Sequence, residues 1–145
     1  MKYKLLVLDV DGTLLNEARE ITKRTLAALR KAQQMGVRIL LASGRPTYGL
    51  LPLAKQLELG TYNGFISSYN GGQIISAANG EVVFERRINP EMLPYIERKA
   101  RENGFSLFTY DGDCVVTTNA DDSHVQQEAS LNGMTLNQAD DVSIA

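Results

Sequence analysis

A short apolar run, Leu5-Leu6-Val7-Leu8, ends at Asp9 and limits the possible folds more than any other segment. A run that is apolar on both faces is typical of a strand inside a parallel sheet that helices cover on both sides. Apolar residues at helical spacing follow, with Thr22 placed to cap a helix and Gly36 placed to end it. The pattern then repeats, which predicts an α/β fold: a Rossmann-like parallel sheet with right-handed connections and the first strand at its centre. The predicted strands are residues 3–10, 37–42 and 65–68, and a second helix is predicted over residues 46–57.

The pattern changes after the third strand. Asn79-Gly80 stands between two apolar runs and predicts a tight β-hairpin, and Asn89-Pro90-Glu91 predicts the start of a helix. We therefore expect two domains, a Rossmann-like core over residues 1–82 and the beginning of an α+β domain over residues 83–145. The further predicted strands are residues 73–77, 81–85, 105–110 and 114–118.

The composition is that of an ordinary globular protein. The chain has 145 residues, of which 43% are hydrophobic, and a formal net charge of -2, so neither a nucleic acid nor an anionic membrane is expected as a partner. Its apolar runs are far shorter than the roughly 20 residues that cross a bilayer. Its first residues lack the long apolar core of a secretory signal, and we expect a cytoplasmic location. A single cysteine and a single histidine exclude an intrachain disulfide and a Cys/His zinc cluster.

Two aspartates, Asp9 and Asp11, stand at the carboxyl end of the first predicted strand, where open α/β sheets bind their ligands. In an extended chain, residues two positions apart point to the same side about 6.5 to 7 Å apart, and like charges that close require a cation or a shared proton. Mg²⁺ prefers oxygen ligands, and we predict that Asp9 and Asp11 bind it. Gly12 allows a sharp turn that brings backbone amides to a bound anion.

Other motifs explain this segment less well. A calcium-binding EF-hand loop that starts at Asp9 needs glycine at its sixth position, which is Leu14. The sequence contains neither the glycine-rich signature of dinucleotide-binding proteins nor that of P-loop proteins. The single histidine, His124, is remote in sequence, so a serine-histidine-aspartate triad has little support.

A second motif, Ser43-Gly44-Arg45-Pro46, lies between the second strand and the next helix. Ser43 can donate to a phosphoryl oxygen, and the amides near Gly44 and Arg45 lie where a helix dipole favours negative charge. The alternative is that Ser43 only caps the helix, and the motif by itself leaves both interpretations open.

Three segments together resemble the haloacid dehalogenase-like hydrolases, specifically the Cof-type phosphatases with an α/β cap domain inserted after the third strand. They are Asp9-Val10-Asp11-Gly12-Thr13-Leu14-Leu15, Ala42-Ser43-Gly44-Arg45-Pro46 and Ser68-Tyr69-Asn70-Gly71-Gly72. The resemblance implies that Asp9 attacks phosphorus to form an aspartyl phosphate and that Asp11 is the general acid and base. It also implies Mg²⁺ on the Asp9 carboxylate and the Asp11 carbonyl, and phosphate or substrate contacts from Gly12, Thr13, Ser43, Gly44, Arg45, Asn70 and Gly71.

The resemblance is to the N-terminal portion of that family only. The family uses a lysine and an acidic Gly-Asp motif after the cap, and neither Lys99 nor the acids at Asp113, Asp121-Asp122 and Asp140-Asp141 fits those positions. The family's two post-cap strands flank the first strand, so without them Leu5 to Leu8 would form an exposed apolar edge. We expect either a longer protein or pairing of the first strand with another chain, as a homo-oligomer or strand-paired dimer.

The predicted function is that of a Mg²⁺-dependent phosphatase of small phosphorylated metabolites such as sugar phosphates, with reduced turnover in this short chain. A non-catalytic module that binds phosphorylated metabolites or serves in assembly is the alternative. A phosphomutase, which uses the same aspartyl chemistry, is a third hypothesis.

Overall fold

A computed structural model describes residues 3–140 and 142, and the chain divides into two compact units between Arg86 and Arg87. The predicted boundary after residue 82 would cut through a strand, Val82–Glu85, that pairs with the strand before it. The division therefore lies four residues later than predicted, because the whole hairpin belongs to the sheet of the first unit.

The first unit is built on a five-stranded sheet in the order β1-β2-β3-β4-β5. The first three strands are parallel, and the last two extend the sheet as an antiparallel hairpin. Two helices connect the parallel strands, which confirms the predicted α/β, Rossmann-like class. The elements are β1 (Leu5–Asp9), α1 (Lys23–Gln34), β2 (Arg38–Ala42), α2 (Thr47–Gln56), β3 (Phe65–Ser68), β4 (Gln73–Ser76) and β5 (Val82–Glu85).

Local signals in the sequence set the ends of α1 as predicted. The Thr22 side chain accepts a hydrogen bond from the Thr25 N–H at 3.1 Å, which satisfies one of the free amides of the first turn. Gly36 follows the helix with a φ of +88°, a conformation that favours glycine. The start of α2 differs slightly from the prediction, because Pro46 has extended backbone angles and caps the helix from outside its first turn.

The sheet and helices of the first unit enclose one apolar core. Its largest fully buried side chains include Ile39 and Leu41 of β2 and Leu50 of α2, each contributing about 1.5 to 3 kcal/mol by its burial. Gly64 precedes β3 at a tight approach, since a Cβ atom there would lie 2.7 Å from the Ile39 carbonyl oxygen. A glycine at this position lets the segment before β3 lie close against β2.

The position of β1 corrects the expectation of a central strand. In the described part of the chain β1 pairs with β2 alone and forms one edge of the sheet. Leu5 is 49% exposed and Val7 is 55% exposed, whereas Leu6 and Leu8 pack against the core. Among the described residues, the apolar run is therefore covered on one face only, and no strand pairs with its outer edge.

The second unit contains a three-stranded sheet in the order β6-β7-β8. The pair β6-β7 is antiparallel and the pair β7-β8 is parallel, with the core formed by Val115, Val125, Ala129 and Met134. Within residues 3–140 and 142, no helix combines the length and the apolar character needed to cross a membrane. The elements are α3 (Leu93–Glu102), β6 (Phe108–Asp111), β7 (Cys114–Thr117), α4 (Ser123–Asn132) and β8 (Thr135–Gln138).

Candidate active site

Three loops leave the carboxyl ends of β1, β2 and β3 at the same edge of the parallel sheet. The strand register aligns Asp9 with Ala42, and Ala42 with Ser67, so the next residues of all three strands lie side by side. This edge is where open α/β sheets bind ligands. Each of the three loops contains one of the motifs that the sequence analysis singled out.

The first loop is a wide turn, Val10–Leu14, that alternates buried anchors with exposed polar residues. Val10 and Leu14 are buried in the core, and the Leu15 N–H donates to the Val10 carbonyl at 3.0 Å to close the turn. Gly12 has a φ of +78°, which favours glycine. The loop thus holds Asp11, Gly12 and Thr13 in solvent while its apolar neighbours fix it to the core.

The two carboxylates of this motif have different surroundings. Asp9 is exposed, and no residue in the described part of the chain makes a hydrogen bond or ion pair with its side chain. Asp11 accepts two hydrogen bonds from the Arg45 guanidinium, from Nε at 2.9 Å and from Nη2 at 2.5 Å. The Arg45 side chain is only 16% exposed. Through this side chain the second loop holds Asp11, the residue that the resemblance implies as the general acid and base.

Ser43, in the second loop, has a structural role that leaves its hydroxyl proton available. Its Oγ accepts a hydrogen bond from the Arg45 N–H at 3.2 Å, so the side chain stabilises the turn before α2. A hydroxyl can accept one bond and still donate another. Capping and phosphate binding are therefore compatible, and the two interpretations of the motif need not be exclusive.

The third loop, Tyr69–Gly71, is left-handed throughout. Tyr69, Asn70 and Gly71 have φ values of +53°, +54° and +88°. This conformation costs a non-glycine residue about 1 to 2 kcal/mol. Two hydrogen bonds to the second loop hold it: the Tyr69 N–H donates to the Arg45 carbonyl at 3.0 Å, and the Asn70 N–H donates to the Ser43 carbonyl at 3.1 Å.

These bonds place the Asn70 side chain against Gly44. A Cβ atom on Gly44 would lie 3.1 Å from Asn70 Oδ1. The two loops therefore form one unit with their main chains joined, and Gly44 allows the Asn70 amide to approach. The sequence predicted both residues as substrate contacts, and the structure brings them together.

Sequence reasoning missed a hydroxyl network behind these loops. Thr47 Oγ1 lies 2.6 Å from Ser68 Oγ and donates to Gln73 Oε1 at 2.8 Å, and Gln73 Nε2 donates to Glu85 at 2.8 Å. Ser68 is fully buried. The network connects the start of α2, the end of β3 and the hairpin. A polar pair at the end of a buried strand, Ser67-Ser68, was its signal in the sequence.

The oxygen donors at this edge of the sheet are of the kind that Mg²⁺ prefers. Mg²⁺ is bound in proteins through one or two carboxylates together with water and substrate phosphates. The exposed carboxylate of Asp9, which has no partner among the described residues, is a donor of this kind, whereas the Asp11 carboxylate is occupied by Arg45. Within residues 3–140 and 142, no three His, Cys, Asp or Glu side chains cluster as a complete metal site.

The remaining candidate charges lie in the second unit, where Lys99 and Asp122 have side-chain partners. Lys99 pairs with Glu102 at 2.6 Å on α3, and the Asp122 side chain caps α4 by accepting from the His124 N–H at 2.8 Å. The Asp113 carbonyl accepts from the Thr135 N–H at 2.9 Å. Asp141 lies outside the described residues.

Known proteins similar to this chain include a crystal structure from Bacteroides thetaiotaomicron described as a haloacid dehalogenase-like hydrolase. It is 47% identical, with a TM-score of 0.90 over 97% of this chain and 53% of that one. The protein M6_Spy0533 of Streptococcus pyogenes is 31% identical over 119 residues, which are 82% of this chain and 44% of the relative. The Bacillus subtilis 5-amino-6-(5-phospho-D-ribitylamino)uracil phosphatase YcsE is 35% identical over 71 residues, which are 49% of this chain and 27% of the relative.

This chain thus spans about half the length of the relatives that it matches most fully. The sequence pattern of the haloacid dehalogenase-like hydrolases matches residues 6–144, which include all three loops. The chain belongs to the haloacid dehalogenase-like hydrolase family.

Proposed function

We propose that the site at the ends of β1, β2 and β3 hydrolyses phosphate monoesters through an aspartyl phosphate on Asp9. The observation that carries the proposal is the exposed, unpaired Asp9 carboxylate at the end of a parallel strand, beside an Asp11 that Arg45 holds in place. A nucleophilic carboxylate needs a free oxygen, and an acid and base must be positioned close to the reacting atoms. Membership of a hydrolase family supports the same chemistry.

Each loop has a role in this reaction. An Asp9 oxygen attacks phosphorus, the phosphorus–oxygen bond to the leaving alcohol breaks, and Asp11 gives that alcohol a proton. Asp11 then takes a proton from the water that releases phosphate from Asp9. Ser43 donates to a phosphoryl oxygen, and the amides around Gly12 and Gly44 lie where a loop and a helix start favour an anion.

Mg²⁺ would be held by the Asp9 carboxylate and the Asp11 carbonyl. Bound there, it would neutralise charge on the phosphoryl oxygens. Arg45, Thr13, Asn70 and Gly71 complete the proposed contacts to the substrate, with Arg45 acting also through Asp11.

The proposed substrates are small phosphorylated metabolites such as sugar phosphates. The named function of YcsE supports this class, since its substrate carries the phosphate on a ribityl chain. This chain spans about half the length of the relatives that it matches most fully, and we propose that it alone turns over slowly. A cation or metal ligand missing from the site would raise the transition-state energy by several kcal/mol.

A second candidate is a module that binds phosphorylated metabolites without turnover. The Asp11–Arg45 pair favours it, because that pair occupies one of the two carboxylates. It predicts saturable phosphate or Mg²⁺ binding with no phosphate release. A phosphomutase would instead move the phosphoryl group from one sugar hydroxyl to another.

The test is phosphate release with Mg²⁺ from a panel of sugar phosphates, using Asp9→Asn against the parent chain. Asp113→Asn is the matched control, because it makes the same change on an exposed aspartate of the second unit. We expect release by the parent and the control and none by Asp9→Asn. Equal Mg²⁺-dependent rates in Asp9→Asn and the parent would reject Asp9 as the nucleophile.

A further inference from the structure

A row of three polar side chains crosses the end of the first sheet. The strand register aligns Ser68 with Gln73, and Gln73 with Glu85. Ser68 lies directly before the third loop of the site, and Gln73 lies two residues after it. Both side chains are within hydrogen-bond distance of the Thr47 hydroxyl, Ser68 at 2.6 Å and Gln73 at 2.8 Å. One hydroxyl of α2 therefore joins the two ends of this loop.

The chemistry of these groups fixes the direction of every hydrogen bond in the row. A carboxylate only accepts, so the Gln73 amide presents Nε2 to Glu85, at 2.8 Å. The Gln73 Oε1 atom then faces Thr47 and accepts its single hydroxyl proton. Because Thr47 has no second proton to give, Ser68 donates to Thr47. The Glu85 carboxylate thus sets the orientation of the three side chains behind it.

The third loop depends on such anchors because its backbone is strained. Tyr69 and Asn70 are both in the left-handed region, and strained residues persist only where their surroundings hold them firmly. Ser68, the residue before them, is fully buried, and a buried hydroxyl needs a hydrogen-bond partner. A change that turned the Gln73 amide would disturb this partner directly at the start of the loop.

We propose that Gln73 and Glu85 are positioning residues for the substrate contacts of the third loop. They act through the two hydroxyls, which fix the end of β3 where the loop begins. This role rests on the proposed phosphatase function, in which Asn70 and Gly71 of the loop contact the substrate. Loosening the loop weakens binding of the substrate and of the transition state alike, so it raises KM and leaves kcat nearly unchanged.

The variant Gln73→Glu tests the row, because it puts a second carboxylate opposite that of Glu85. We expect KM for a sugar phosphate to rise about three- to tenfold, with kcat changed by less than about twofold. Adding Glu85→Gln should return KM to within about twofold of the parent. In that double variant the new amide at position 85 donates to the new carboxylate at position 73, which again accepts from Thr47. The single variant Glu85→Gln should have little effect, since its amide oxygen can still accept from Gln73.

Amide hydrogen exchange reads the same loop without substrate. The N–H groups of Tyr69 and Asn70 donate to the second loop, whereas the Gly64 N–H donates to the Leu59 carbonyl before β3, at 2.8 Å. We expect Gln73→Glu to speed exchange at Tyr69 and Asn70 at least about fivefold and to leave Gly64 unchanged. The double variant should slow the exchange again.

The variants Thr47→Val and Thr47→Ser form an independent pair, because only the second keeps the hydroxyl that joins the loop ends. We expect Thr47→Val to speed exchange at Tyr69 and Asn70 as Gln73→Glu does, and Thr47→Ser to leave it near the parent rate. Gln56→Glu is the control for the added charge. It makes the same change on an exposed side chain at the opposite end of α2 and should alter neither KM nor exchange.

Unchanged exchange at Tyr69 and Asn70 in Thr47→Val, or a double variant no closer to the parent than Gln73→Glu, would overturn the proposal. Faster exchange with an unchanged KM would overturn it too, because the order of the loop would then not matter for substrate binding. A parent chain that releases no phosphate would instead reject the proposed function, and the exchange rates would still decide whether the row holds the loop.

Discussion

Arg45 illustrates how one side chain joins two loops that are 34 positions apart in sequence. Its guanidinium donates two hydrogen bonds to Asp11. Its backbone N–H donates to Ser43 Oγ, and its backbone carbonyl accepts from the Tyr69 N–H. We therefore regard Arg45 as the residue that positions the first loop relative to the second. Asp11 is 55% exposed, so the pair contributes little to stability.

The variant Arg45→Leu should separate the effect of this pair on activity from its effect on stability. We expect phosphate release to fall roughly 10- to 100-fold, because Asp11 loses its fixed position, while the free energy of unfolding changes by less than about 1 kcal/mol. Arg30→Leu is the control, since Arg30 forms an ion pair with Glu58 at 2.7 Å and neither residue belongs to the three loops. Equal losses of activity in both variants would refute a positioning role for Arg45.

Sequence reasoning identified the residues of the three loops but not how they contact one another. Asp9, Asp11 and Ser43 were predictable because each follows a recognisable apolar strand. The Arg45–Asp11 pair depends on two loops meeting in space, and local periodicity contains no such information. The left-handed Tyr69 was equally hidden, because a tyrosine gives no signal for a positive φ.

At the scale of elements, the strands and helices with strong apolar patterns were predicted almost to their ends. The strand β3 matches its predicted bounds, and α1 lies between its predicted cap and its predicted glycine. The helix α4 and the strand β8 were not predicted, because α4 buries only Val125, Ala129 and Asn132 and β8 is largely polar. Asp122 before α4 and Gly133 after it were the signals that could have revealed the helix.

The close approach of β2 to the segment before β3 gives a prediction about stability. Gly64→Ala should lower the free energy of unfolding by about 1 to 3 kcal/mol, because the new methyl group would lie 2.7 Å from a backbone oxygen that cannot move away. Gly44→Ala is the control, since its nearest neighbour is the end of the Asn70 side chain, which can rotate. Urea denaturation checks this, and equal destabilisation by both changes would contradict it.

The cap of α4 gives a prediction about pH. The Ser106 hydroxyl, followed by the His124 N–H, holds the pKa of Asp122 below its usual range. A carboxylate with a lowered pKa stabilises the fold above the pKa it has in the unfolded chain, and this contribution is lost as the pH falls through the folded value. We therefore expect the second unit to lose stability below about pH 4, with a smaller loss in Asp122→Asn, whose side chain caps without titrating. Identical acid denaturation curves for the parent chain and Asp122→Asn would contradict this role of the Asp122 carboxylate.

At the scale of the whole molecule, the first unit holds the three loops of the candidate site at the carboxyl ends of its parallel strands. In the Bacteroides thetaiotaomicron relative the matched region is 53% of the chain. Within the described residues, β1 pairs with β2 alone. The strand β1 ends at Asp9, the residue that we propose as the nucleophile.

The most direct measurement of the central claim is the mass of the chain after incubation with acetyl phosphate and Mg²⁺. It reads the first half of the reaction, in which Asp9 takes the phosphoryl group, and it does not require rapid turnover. We predict one added phosphoryl group, located on Asp9 by peptide mapping and absent from Asp9→Asn. A parent chain that gains no phosphoryl group, or one that gains it on another residue, would contradict the claim.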